Sequence, residues 1–275
     1  MAIPFDVTML QPEVIRIIRD YIASDDPLPY RTSHVIGDGD FRIIGAEFLR
    51  HMVVIGGLKP HHNVLDAGCG FGRMAMPLAR YLAPETRYMG FDIVAEPIQW
   101  CREKITSWDT TMEFAYVGMK HELYTPQAEI PSTEGFKNRL PVFEQWHPDF
   151  AAAVSLFTHL EQETFIRYLQ DFEAVLKPGG TLFMTAFLID DGTPKPAAEC
   201  SFPVKKWQQY GELTGLRGEP LTAAVGVPVS WFLQQCANAG LEVEQVHFGR
   251  WRKASQQSIL PYQDIILCRK PLQSA

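Results

Sequence analysis

A chain of 275 residues and 31.2 kDa has room for one large domain, or for one domain with a substantial lid. With 46% hydrophobic and 21% charged residues it is composed like a globular protein that buries a core. A net charge of −7 and a pI near 5.6 argue against a phosphate-backbone binder, which would present a basic face, so no nucleic-acid partner is expected.

The five cysteines (Cys69, Cys101, Cys200, Cys236 and Cys268) include no C-x-x-C pair. They read as reduced thiols of a cytoplasmic protein. No run of about 18 apolar residues exists and no basic region precedes an apolar leader, so neither a membrane span nor a signal peptide is expected. His61 and His62 are adjacent, with no third partner at ligand spacing, and no metal site is expected.

In chain order, Val14, Ile18, Tyr21 and Ile22 fall at helical spacing after Pro12, which suits a first helical turn. A second helix is predicted from Phe41 to Ile55, stopped by Gly56-Gly57. Residues 1–56 thus read as a helical cap before a core of 57–275. Val64-Leu65 is the first strand, residues 73–82 a helix, Arg87 to Ile93 the second strand and Met112 to Val117 the third. Residues 120–148 and 189–228 are proline-rich and weakly periodic, and both read as inserted lid segments; in the first, Tyr124, Phe136, Phe143 and Trp146 would line a flap or a substrate wall. Between them, the apolar run Asp149 to Leu156 predicts a buried fourth strand, Thr158 with Glu161 has capping-box spacing for a helix to Leu176, and Thr181 to Leu188 is a fifth strand. A helix from Val229 to Ala239 and two closing strands, Leu241 to Phe248 and Asp264 to Cys268, complete the order.

The stretch Val64-Leu65-Asp66-Ala67-Gly68-Cys69-Gly70-Phe71-Gly72-Arg73 carries the chemistry. Strand, glycine turn and helix let bare backbone approach a ligand at a helix start. A dinucleotide fingerprint has G-x-G-x-x-G spacing, whereas here an acid precedes three alternate glycines. Asp92 ends the second strand about 20 residues on, where a doubly wound sheet offers a carboxylate to ribose hydroxyls; capping the next helix is its other reading. The D-x-G-x-G-x-G motif, Asp92, the Phe157-Thr158-His159-Leu160 turn, Lys177-Pro178-Gly179-Gly180 and the closing strands resemble class I S-adenosylmethionine (SAM) methyltransferases. The resemblance runs from about Tyr30 to Lys270 and is similar in kind to bacterial small-molecule enzymes.

That resemblance implies an α/β fold: a Rossmann-like, seven-stranded, mostly parallel sheet with a terminal antiparallel hairpin and helices on both faces. It implies SAM as cofactor, with Asp66, Gly68, Cys69, Gly70, Gly72 and Arg73 around the methionyl moiety, Asp92 on the ribose and Ile93 on the adenine. The loop after the third strand lacks the family's usual acid, and Met119 stands in as the adenine contact. His159, after the fourth strand, is the candidate general base, with a helix-buttressing role as its alternative. Tyr30 and Asp190 are further catalytic candidates, and Arg31 and Asp191 pocket candidates; Phe157, like Tyr30, could face the sulfonium with its ring. The implied reaction is in-line methyl transfer to an O, N or C nucleophile of a small molecule. A SAM-consuming cyclase that releases methylthioadenosine and a non-catalytic SAM-binding module are the alternatives, and a homodimer is one assembly open to such a chain.

Overall fold

In the computed structural model, residues 3–29, 39–105, 111–189, 207–252 and 262–272 are described. Tyr30, Arg31, Asp190 and Asp191 lie outside them. The chain divides into two units, Met1–Val117 and Gly118–Ala275.

In the first unit, α1 (Pro12–Ile22) begins on Pro12 and buries Val14, Ile18, Tyr21 and Ile22, the predicted stripe. Helix α2 (Phe41–Val54) starts where Asp40 accepts a hydrogen bond from the Ile43 N–H at 2.9 Å, an N-cap that satisfies a donor the helix cannot. Strands β1 (Val64–Ala67), β2 (Arg87–Asp92) and β3 (Thr111–Tyr116) pair in parallel, β1 with β2 and β2 with β3. Helix α3 (Ala75–Tyr81) follows β1, and α4 (Ala95–Lys104) follows β2. Gly45 of α2 is a close-approach point: a Cβ there would lie 2.5 Å from the Arg73 carbonyl oxygen and 3.3 Å from the Tyr21 hydroxyl.

In the second unit, β4 (Phe150–Ala153) pairs in parallel with β5 (Thr181–Ile189), and α5 (Gln162–Val175) connects them. Thr158 does not cap α5. Glu161 occupies the N-cap without a side-chain bond, and the Thr158 hydroxyl instead donates to the Ser155 carbonyl at 3.2 Å. The first expected insertion is not a free flap over its whole length. Phe136 and Phe143 are buried, with the Phe136 ring 5.2 Å from Tyr168 and 4.9 Å from Phe172 of α5, and Asp171 accepts from the Lys137 N–H. Burial of two phenylalanines outweighs the absence of regular periodicity.

The described part of the second inserted segment is regular. Residues 207–228 form β6 (Trp207–Tyr210), β7 (Leu213–Leu216) and β8 (Gly226–Pro228). Strands β6/β7 and β7/β8 are antiparallel, while β8 runs parallel to the end of β5 at Phe187–Ile189. Helix α6 (Val229–Asn238) leads to β9 (Glu242–His247) and β10 (Asp264–Arg269); β10 lies antiparallel to both β9 and β5. The fold is therefore the expected α/β class, mostly parallel with antiparallel strands at its end, and the inserted strands raise the count beyond seven. Among the described residues, no helix is long and apolar enough to cross a membrane, and no group of three or more metal-ligating side chains converges.

Candidate active site

The glycine loop of the first unit is built from its backbone. Gly68 and Cys69 donate their N–H groups to the Phe91 carbonyl at 2.9 and 3.0 Å, which ties the loop to the end of β2. The next donor, Gly70 N–H, bonds Asp92 Oδ2 at 2.9 Å, and Asp92 Oδ1 accepts from Val94 N–H at 2.9 Å. Val94, not Asp92, is the N-cap of α4. With about four acceptor directions on its two oxygens, the carboxylate retains capacity for a ribose hydroxyl.

Gly68, Gly70 and Gly72 all have left-handed φ, at 72°, 51° and 72°, the backbone reason for glycine at alternate positions. Their surroundings differ. A Cβ on Gly72 would sit 2.4 Å from Ile105 Cδ1 and 3.1 Å from Cys101 Sγ, so this glycine lets the loop pack beside α4. A Cβ on Gly70 would meet nothing within 4 Å. Gly70 is the open side of the turn, where backbone can meet a ligand.

Beneath the loop Asp66 is fully buried, and its Oδ2 accepts the Tyr88 hydroxyl at 2.6 Å. Burial raises its carboxyl to about 7; the Tyr88 bond opposes that shift and the charge of Asp92 adds to it. Burial likewise raises the carboxyl of Asp92, against the lowering effect of the N–H groups of Val94, Gly70 and Ile93. Arg73 is partly buried with its guanidinium 5.6 Å above the Phe41 ring, and burial pulls it down to about 10. Ile93 is half-buried directly after Asp92. Tyr88 and Gly45 are parts of this region that the sequence reading passed over; Tyr88 carries a signal in its register, two strands facing each other with an acid on one and a phenol on the other.

The second unit holds the other predicted residues. Phe157 is fully buried, its ring 4.6 Å from Phe165 and 6.0 Å from Phe172, and Met119 is fully buried with its carbonyl accepting from Thr125 Oγ1 at 2.7 Å. His159 is more informative. Its Nδ1 lies 2.8 Å from the Thr222 carbonyl, and a carbonyl only accepts, so Nδ1 carries the proton and Nε2 the lone pair. His121 is fixed the opposite way: its Nδ1 accepts from the N–H groups of Leu123 and Tyr124, and its Nε2 donates to the His159 carbonyl at 2.8 Å. The Tyr124 ring stacks on His121 at 4.7 Å and meets His159 edge-on at 5.7 Å. Burial lowers the pKa of both histidines, so both are neutral near pH 7. Tyr124 was read from sequence as one aromatic of a flap or substrate wall, and His121 was not singled out; no local pattern links His121 to His159, 38 residues on.

Residues 44–246 match the model of a methyltransferase domain family. Among solved structures, the CcbJ methyltransferase of Streptomyces caelestis is similar at 15% identity and a TM-score of 0.52, over 93% of this chain and 96% of that one. A S-adenosylmethionine-dependent methyltransferase of Clostridium acetobutylicum gives 12% identity and 0.53, over 85% and 93%. The [4+2]-cyclase SpnF gives 17% and 0.51, over 94% and 93%. At these identities the structures establish the fold, which enzymes of different reaction share. Because the family model spans most of the sequence and coincides with the glycine loop, Asp92 and the strand order around them, the chain belongs to the methyltransferase family, in its class I, SAM-dependent form.

Proposed function

We propose that the protein transfers a methyl group from SAM to an O, N or C nucleophile of a small molecule. The observation that carries this reading is the open face of Gly70 in a turn pinned to Asp92. The residues fit the cofactor: a left-handed turn of Gly68, Cys69, Gly70 and Gly72 whose open face at Gly70 takes the methionyl moiety, a carboxylate with spare acceptor capacity for the ribose at Asp92, and a half-buried aliphatic side chain for the adenine at Ile93. Asp66 holds the loop through Tyr88 rather than by an exposed carboxylate. Arg73 and Met119 keep their proposed places at the cofactor, and Tyr30 and Asp190 theirs at the acceptor.

SAM when bound supplies a methyl group on a sulfonium, open to in-line displacement. The chain's part is to align the acceptor, exclude water and take a proton where the nucleophile has one. We assign the last role to His159: neutral, with Nε2 unprotonated, it meets the requirement for a base. Acidic composition supports a small molecule over nucleic acid as acceptor, and the free thiols support a reducing, cytoplasmic setting.

The test is to incubate the protein with SAM alone, and then with acceptor candidates, and to identify the nucleoside product by mass. Acceptor-dependent S-adenosylhomocysteine is expected. Methylthioadenosine formed from SAM alone would instead establish the SAM-consuming cyclase.

A further inference from the structure

Strand β5 outlasts β4: Ala153 pairs with Met184, and Thr185 is the first β5 residue beyond that pairing. At this step Ser155 turns with φ 56°, the one left-handed non-glycine residue among the described residues, and it is exposed. Left-handed backbone at a non-glycine residue persists only where its surroundings hold it. Here the Ser155 N–H donates to Thr185 Oγ1 at 2.7 Å. The hydroxyls of Ser155 and Thr185 both donate to Gln263 Oε1, at 3.1 and 2.5 Å.

This arrangement fixes the orientation of the Gln263 amide. Thr185 Oγ1 already accepts from Ser155, so its proton needs an acceptor, and Oε1 supplies it. With the amide reversed, the Thr185 hydroxyl proton would face N–H groups and have no acceptor in this cluster. The Gln263 NH2 therefore points away from the cluster and has no acceptor among the described residues. The backbone on both sides of Gln263 is held. The Tyr262 carbonyl accepts from Trp251 N–H at 2.9 Å, and the buried Asp264 carboxylate accepts from Leu188 and Gly249 N–H at 2.8 and 2.7 Å. Gly249 allows this approach, since a Cβ there would lie 2.2 Å from the Gln263 carbonyl oxygen. Two residues along β5 from Thr185, Phe187 meets the ring of the exposed Tyr262 edge-on at 6.0 Å and Trp251 at 5.2 Å.

We propose that Gln263, held by Ser155 and Thr185, is the acceptor-anchoring residue: its amide N–H binds a carbonyl oxygen of a flat, aromatic substrate that rests on Tyr262. A preset donor beside an aromatic surface at the carboxyl end of a strand is how open α/β sheets orient ligands. The inference rests on the small-molecule reading above and narrows it to carbonyl-bearing aromatic acceptors.

The experiment titrates the full chain with acetophenone and, in parallel, with ethylbenzene, which has the ring without the oxygen. Nitrogen-15 NMR follows the Gln263 side-chain amide, and calorimetry measures SAM affinity separately. Acetophenone is expected to shift that amide signal saturably and ethylbenzene to leave it in place. Gln263→Glu keeps an oxygen for both hydroxyls and replaces the donors by a second, negatively charged acceptor oxygen. It should weaken acetophenone binding by roughly tenfold, the loss of one hydrogen bond, with an unchanged melting temperature. An unmoved amide signal up to the solubility of acetophenone, or equal binding by Gln263→Glu, overturns the proposal. Loss of SAM affinity in the wild-type protein would overturn the methyltransferase reading instead, and the two results are read independently.

Discussion

The glycine loop of the first unit and the His121–His159 cluster of the second solve the problem of presenting polar groups in different ways. The loop uses backbone: three left-handed glycines, N–H groups and one carboxylate, all within residues 66–94. The cluster uses side chains whose tautomers are set by carbonyl and amide groups from residues 121–124, 159 and 222. Backbone recognition constrains which residues can stand at each position, whereas a side-chain cluster constrains only which residues meet. The first is fragile to added atoms; the second should be fragile to a lost lone pair.

Four experiments bear on that contrast. The largest effect is expected at His159. His159→Asn can keep a donor toward the Thr222 carbonyl while losing Nε2, so for a proton-bearing acceptor the rate should fall roughly 10²–10⁴-fold with little change in melting temperature. The wild-type kcat/KM should fall off on the acid side at a lower pH than a free imidazole would dictate, because burial lowers the pKa of His159. A normal rate in the variant leaves His159 as a buttress of the turn.

Gly72→Ala comes next. It combines left-handed strain with a contact at Ile105, and a loss of about 2–4 kcal/mol in unfolding free energy is expected by denaturant titration. Gly70→Ala has strain without a clash, about 1–2 kcal/mol, and should lose SAM affinity out of proportion to stability. Equal profiles for the two variants would erase the distinction between the packed and the open glycine.

Asp66 tests the floor of the loop. Its folded pKa, about 7, lies above the ordinary 3.8, so the folded state holds a proton that the unfolded state releases. This stabilisation is full below pH 3.8 and is lost as pH rises through 7, on the order of a few kcal/mol. Asp66→Asn should flatten that slope in melting curves between pH 5 and pH 8. An identical slope would mean that the buried carboxyl does not titrate there.

Asp92→Ala is expected to weaken SAM binding alone, by roughly 1.5–3 kcal/mol in calorimetry for a lost charged contact. Unchanged affinity would remove Asp92 from the ribose.

Sequence reading recovered what local physics dictates. The stripe of α1, the start of α2 after Asp40 and the parallel strands each follow from spacing within a dozen residues. The left-handed turn at Gly68, Gly70 and Gly72 was equally readable, because alternate glycines have few other uses. Thr158 misled because its spacing to Glu161 imitates a cap, while the chain there makes a short 3-10 turn, Phe157–His159, before α5 begins. Strands β6–β8 escaped because Trp207–Tyr210 and Leu213–Leu216 are four residues each, too short to show alternation, and their order depends on the far end of β5. His121 and Gln263 acquire meaning only from partners 38 and 78 residues away in the chain.

Strand β5 lends its successive residues to three different neighbours: β4 at Thr181–Met184, β10 at Thr181–Ala186 and β8 at Phe187–Ile189. All nine of its residues are buried. The second unit therefore has a common spine, and opening any one of the three pairings exposes backbone that the others help to shield. Its amides should be among the slowest in the unit to exchange with deuterated water, and they should do so as a block.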